Sequence, residues 1–140
     1  TELDMTLFYR EISSVEFNEF NSFWQIIEKV TYKAIDEVQE RKKSWKNWFR
    51  DYSMLLQHEG RDVSERLEKM KQVNPKYVLR NYMAQLAIDA ANKGDYTIVD
   101  ELYQLLLEPY KEQVKMEKWY AKRPEWAKHK VGCSMLSCSS

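Results

Sequence analysis

Residues 20–40 read FNSFWQIIEKVTYKAIDEVQE. Phe20, Phe23, Trp24, Ile27, Val30, Ala34, Ile35 and Val38 recur there at steps of three and four. A helix turns by about 100° per residue, so this spacing gathers the apolar side chains into one wide stripe. The spacing predicts one long amphipathic helix that ends near Glu40. Upstream, Ser13 and Glu16 have capping-box spacing. Asp4 is placed to cap a short helix on which Met5, Phe8 and Ile12 share a face.

Downstream the same periodicity continues. Trp45, Trp48, Phe49, Tyr52, Leu55 and Leu56 mark a helix that closes at Gly60, where a left-handed cap is expected. Asp62 with Glu65 reads as the start of a shorter helix carrying Val63, Leu67 and Met70. Asn74-Pro75 is the sharpest boundary in the chain. Asn74 suits an N-cap and Pro75 the first helical position, ahead of Val78, Leu79, Tyr82, Met83, Leu86, Ala87, Ala90 and Ala91. Lys93-Gly94-Asp95 then forms a tight turn into a helix with Ile98, Val99, Leu102, Leu105 and Leu106 inward. Pro109 ends the pattern, and Arg123-Pro124-Glu125-Trp126 starts a single turn at most. The expected fold is all-α: a single helical bundle of five or six helices over residues 1–130, with residues 131–140 an irregular, flexible tail carrying Cys133 and Cys138.

Composition narrows the function. The 140 residues hold three glycines and three prolines, roughly 4% against a usual share of about 12%. No two glycines lie close enough for a Gly-rich phosphate loop, and an all-β fold would need many more turn residues. With 44% hydrophobic and 14% aromatic residues the chain can bury a core, which excludes global disorder. No apolar run reaches the roughly 18 residues that span a membrane, so no membrane partner is expected. The chain starts at Thr1 without a secretory signal and reads as part of a longer protein. Two cysteines, both near the end, do not make a disulfide framework and fit a reducing compartment.

Net charge is zero, yet residues 1–40 hold nine acids and three bases, and Arg41, Lys42, Lys43, Lys46 and Arg50 follow without an intervening acid. Aromatics beside bases at residues 43–49 can stack on single-stranded nucleic acid. The same residues fit the two faces of an ordinary amphipathic helix, and nucleic acid is the less favoured partner. His58 and His129 lie far apart, so no nucleophile–base constellation is visible. His129, Cys133 and Cys138 supply three metal-ligand types without a fourth and without CxxC spacing, so no metal site is expected. The acid pairs Asp36/Glu37 and Asp100/Glu101 are adjacent on helices and splay apart.

Three stretches carry a resemblance: Asp4-Met5-Thr6-Leu7-Phe8-Tyr9-Arg10, then residues 73–88 (VNPKYVLRNYMAQLAI) with Gly94-Asp95-Tyr96, then Arg123-Pro124-Glu125-Trp126-Ala127 with Ser137-Cys138-Ser139-Ser140. In this order they resemble the C-terminal region of the selenoprotein O family, from the first residues to the last. That family groups kinase-like pseudokinases that transfer AMP from ATP to Ser, Thr or Tyr hydroxyls of target proteins, assisted by Mg²⁺ or Mn²⁺. The resemblance implies that the catalytic residues, ATP and metal belong to an upstream kinase-like domain of the same chain. None maps here, so no catalytic residue, metal or cofactor is assigned to these 140 residues, and they are expected to be inactive alone. It further implies a redox role for Cys138, through a disulfide to a cysteine of the kinase-like domain. Cys133 adds a second thiol, and a local Cys133–Cys138 bridge is the competing pairing.

Lys76 and Arg80, at helical i, i+4 spacing, and the adjacent Asn81 form a polar edge. It reads either as capping and solvated bases or as a contact with the kinase-like domain. The expected partners are that domain and the protein substrates of the parent enzyme. The expected compartment is the bacterial cytoplasm, or the mitochondrion in a eukaryote. The alternative function is a stand-alone helical module that binds protein or nucleic acid without enzymatic activity.

Overall fold

The computed structural model describes residues 2–130 and Cys133. Among these residues seven α-helices follow one another: α1 (Met5–Ile12), α2 (Phe20–Val30), α3 (Ile35–Glu40), α4 (Lys42–Glu59), α5 (Val63–Val73), α6 (Asn81–Ala91) and α7 (Thr97–Leu107). Two 3-10 helices, Val114–Trp119 and Glu125–Lys128, complete the order. No strand occurs among the described residues, only an isolated antiparallel bridge between Leu3 and Thr31. The protein is all-α. Among the described residues no helix is long and apolar enough to cross a membrane. The helices gather into two compact units that divide at Asn74–Pro75.

In the first unit, the Asp4 carboxylate caps α1 by accepting the Leu7 amide at 3.1 Å. This helix buries Leu7, Phe8 and Ile12. Met5, expected on the same face, is instead half exposed. Ser13 does not begin a helix with Glu16. It ends α1, its hydroxyl donating to the Tyr9 carbonyl at 2.6 Å, and the next helix waits until Phe20. Helix α2 buries Phe23, Trp24, Ile27 and Val30, four positions of the expected stripe, and adds Ile26.

The long helix expected over residues 20–40 is two helices. Thr31 turns extended (φ −74°, ψ 145°). The Asp4 amide donates to the Val30 carbonyl at 2.9 Å and the Tyr32 amide to the Glu2 carbonyl at 3.0 Å. The chain's first residues thus take up backbone groups that a continuing helix would have used, and β-branched Thr31 suits the extended conformation. The apolar spacing resumes in α3, where Val38 is buried and Ile35 is exposed.

Aromatic rings bind α2, and Phe17 in the turn before it, to α4. Phe17 meets Tyr52 edge-on at 4.7 Å between centroids and Phe49 at 5.6 Å, while Phe23 stacks on Trp48 at 5.3 Å. Offset and edge-to-face pairs of this kind contribute about 0.5–1.5 kcal/mol beyond area burial. Gly60 closes α4 in the left-handed conformation (φ +61°), and Asp62 caps α5 by accepting the Glu65 amide at 3.0 Å. Arg10, buried on α1, donates to the Lys71 and Asn74 carbonyls at 3.0 and 3.1 Å. A cation there meets the orphan carbonyls at the end of α5.

In the second unit, α6 and α7 pack on each other across the turn at Gly94. Asp95 holds that turn by accepting the Thr97 amide at 3.0 Å and its hydroxyl at 2.6 Å. The core gathers Tyr77, Tyr82, Met83, Ala87, Leu102, Leu105, Trp119, Ala127 and Cys133. Trp119, polar in its sequence surroundings, is one of the buried residues.

Helix α6 begins at Asn81, not at Pro75. Asn74 ends α5, and residues 75–80 run without helix. The Lys76 and Tyr77 amides both donate to the Pro109 carbonyl, at 2.8 and 3.1 Å. Tyr77 is 1% exposed, and its hydroxyl donates to the Gln113 carbonyl at 3.2 Å. These partners lie over thirty residues away, and together they outweigh the local capping signal of Asn74-Pro75.

Candidate functional site

The non-helical segment 75–80 places Lys76, Arg80 and Asn81, the polar edge read from the sequence. Lys76 and Arg80 do not share a helical face, because the helix starts after them. Both are buried, Lys76 to 7% exposure. The Lys76 ammonium donates to the carboxylates of Glu112 and Glu117, which belong to the segment around the first 3-10 helix. It also stands 4.9 Å from the centre of the Tyr120 ring and 5.6 Å from that of Tyr77.

Opposing effects act on this ammonium. Burial disfavours its charge, and the hydrogen bonds to Glu112 and Glu117 favour it; the balance lies above the ordinary lysine value. Burial likewise lifts the Tyr77 phenol above its ordinary value, the Lys76 charge opposing it. The site therefore holds a compensated cation against a neutral phenol. Such an arrangement fixes a backbone segment rather than supplying a nucleophile or a general base.

Neighbouring ion pairs complete the frame. The Trp119 indole N–H donates to Glu101, which also pairs with Lys118 at 2.6 Å. Hydrogen bonding from Lys118, and then from Trp119, holds the Glu101 carboxyl below its ordinary range despite partial burial. Lys130 pairs with Asp89, and Gln85 donates to the same carboxylate at 2.8 Å. Glu112, Glu117 and Tyr120 carried no signal in the sequence, since each is an ordinary member of a polar stretch. Only the fold brings them to Lys76.

The thiol expectation divides. Cys133 is 1% exposed and free, within the core that Tyr82 and Met83 help to form. Its carbonyl accepts from Asn81 Nδ2 at 3.5 Å, so two residues expected to act separately are neighbours. Cys138, and with it the Cys133–Cys138 pairing and the tail at 131–140 apart from Cys133, lie outside the described residues. Among the described residues no three His, Cys, Asp or Glu side chains converge as a metal-binding set.

Comparison with known proteins identifies the family. The family model described as protein adenylyltransferase SelO matches residues 1–107. A protein nucleotidyltransferase YdiU of Flavobacterium johnsoniae is 55% identical over all of this chain, which covers 27% of that protein. The YdiU proteins of Rhodopirellula baltica and Methylobacillus flagellatus are 43% and 44% identical over 99% of the chain, which covers 28% and 26% of them. The chain thus spans about a quarter of the length of these relatives. It belongs to the SelO family, the protein adenylyltransferases.

Proposed function

We propose that these residues are the C-terminal helical part of a protein adenylyltransferase that moves AMP from ATP to Ser, Thr or Tyr hydroxyls of other proteins. The observation that carries this reading is the match to the SelO model over residues 1–107, in a chain that spans only about a quarter of its nucleotidyltransferase relatives. The catalytic kinase-like domain, with ATP and its Mg²⁺ or Mn²⁺, precedes residue 1 in this reading. The 140 residues act as its support and are inactive alone. The internally paired Lys76 favours a supporting role, because its charge holds segment 75–80 in place.

The second part of the proposal concerns Cys138, the cysteine before the final serines. It pairs with a cysteine of the kinase-like domain under oxidation. The two thiols give up two protons and two electrons to a disulfide donor by thiol–disulfide exchange. The burial of Cys133 supports assigning this role to Cys138, since a buried thiol is screened from exchange.

The test is AMP transfer from labelled ATP by the full-length protein, by its Cys138→Ser variant and by the 140-residue chain, each under reducing and oxidising conditions. Transfer by the full-length protein alone is expected, with a redox dependence that Cys138→Ser removes. Transfer by the 140 residues would overturn the division of roles. An unchanged redox response in Cys138→Ser would overturn the thiol assignment.

A further inference from the structure

A groove of about 600 Å³ opens in the first unit between α1, α4 and α5. Met5, Phe8, Tyr9, Trp45, Trp48 and Met70 give it a largely apolar, aromatic wall, and no charged side chain lines it among the described residues. Met5 is 52% exposed, Tyr9 46% and Trp48 38%. No residue of α4 or α5 is buried, although α4 runs for 18 residues and carries four aromatics, Trp45, Trp48, Phe49 and Tyr52, on its inner side. Helices in proteins draw most of their stability from burying an apolar face. A continuous exposed apolar patch is the usual mark of a binding surface.

The chemistry of the groove selects its occupant. Nucleic acid and acidic peptides need cations, and the bases of α4 lie elsewhere. Lys43, Lys46 and Arg50 are roughly 100–160° around the helix from Trp45. Lys42 and Lys46 instead cover the rings of Trp24 and Phe20, at 4.8 and 5.4 Å from their centres. An uncharged, apolar surface fits the groove best.

Position narrows the choice further. The lining starts at Leu3, two residues from the beginning of the chain, while nearly three-quarters of the length of the relatives lies outside these residues. A segment joined to the groove by so short a tether has an effective concentration of about millimolar. A second copy of the protein must compete from free solution.

We infer that the groove docks an apolar segment of the full-length protein's own polypeptide, from the stretch immediately preceding residue 1. This rests on the reading that a catalytic domain precedes these residues. It adds the surface through which that domain is held.

The experiment uses the full-length protein with Tyr9→p-benzoylphenylalanine, a photoreactive side chain at the groove's edge. Irradiation is expected to join position 9 to residues preceding residue 1 in the same molecule. Peroxide is expected to oxidise Met5 in the native protein more slowly than in urea. A cross-linked dimer would make the groove an interface between copies and overturn the inference. So would the absence of any cross-link, with Met5 oxidised in the native protein as fast as in urea. AMP transfer is measured on the same preparation. Transfer with an open groove overturns the inference and leaves the proposed function standing; an intramolecular cross-link without transfer does the reverse.

Discussion

The Tyr32 hydroxyl donates to Asp4 Oδ2 at 2.6 Å, across 28 residues of sequence. The other oxygen of the same carboxylate caps α1 through the Leu7 amide. One buried side chain therefore starts the first helix and anchors the extended turn that separates α2 from α3. Asp4→Ala removes the cap and leaves the Tyr32 hydroxyl short of this acceptor, a combined loss of about 2–3 kcal/mol. Asp4→Asn keeps an acceptor and should lose less. Urea unfolding followed by tryptophan fluorescence measures both. A change in Asp4→Ala within about 0.5 kcal/mol, typical of neutral surface positions, would refute the double role.

Lys76 and Tyr77 predict alkaline sensitivity. Both groups have folded values above their unfolded ones. The folded state therefore holds protons that the unfolded state releases first, and stability falls as pH rises. The contribution is complete below about pH 10, near the unfolded tyrosine and lysine values, and is lost as pH climbs through the folded values. Melting temperature between pH 8 and pH 12, compared with Lys76→Met and Tyr77→Phe, should show a steep decline in the wild type and shallower ones in the variants. Parallel declines in all three would place the sensitivity elsewhere.

Gly60 sits at φ +61° with open space where a Cβ would project. A substitution there meets backbone strain and no clash. Gly60→Ala should cost about 1 kcal/mol, and Gly60→Asn less, because asparagine tolerates the left-handed region. Chemical denaturation of the two variants gives the comparison. Equal costs would mean that something other than backbone conformation sets the preference.

Cys133 should resist alkylation in the native protein and react once urea opens the core around it. Mass mapping of iodoacetamide adducts before and after unfolding reads this directly. Rapid native labelling at Cys133 would contradict its burial and return it to contention as the redox thiol.

Much of the fold was legible because its signals are local. Gly60, Asp62 and Asp4 act where their types and spacings placed them. The stripe from Phe23 to Val30 faces inward as its period requires. Pro124 precedes a short turn, as expected. What failed was also specific. Asn74-Pro75 is a sound helix start in isolation, but the amides of Lys76 and Tyr77 bond to Pro109. Ser13 and Glu16 have the spacing of a cap, but the Ser13 hydroxyl turns back to Tyr9. Of the candidate site, the residue names were legible and their surroundings were not. Lys76 reads as a solvated base on a helix, while the fold makes it a buried cation between two carboxylates.

By itself the sequence determined the all-α class, the inward stripe of α2, the caps at Asp4, Asp62 and Gly60, and the family. These depend on contacts within one or two helical turns or on motifs read directly. Tertiary structure alone decided the break between α2 and α3, the late start of α6 and which charges are buried. The break at Thr31 depends on Glu2 and Asp4, and the non-helical run before Asn81 depends on Pro109, Glu112 and Glu117. A backbone amide or an ammonium leaves water only when its partner is in place, and those partners arrive from distant parts of the chain. No local spacing records their arrival.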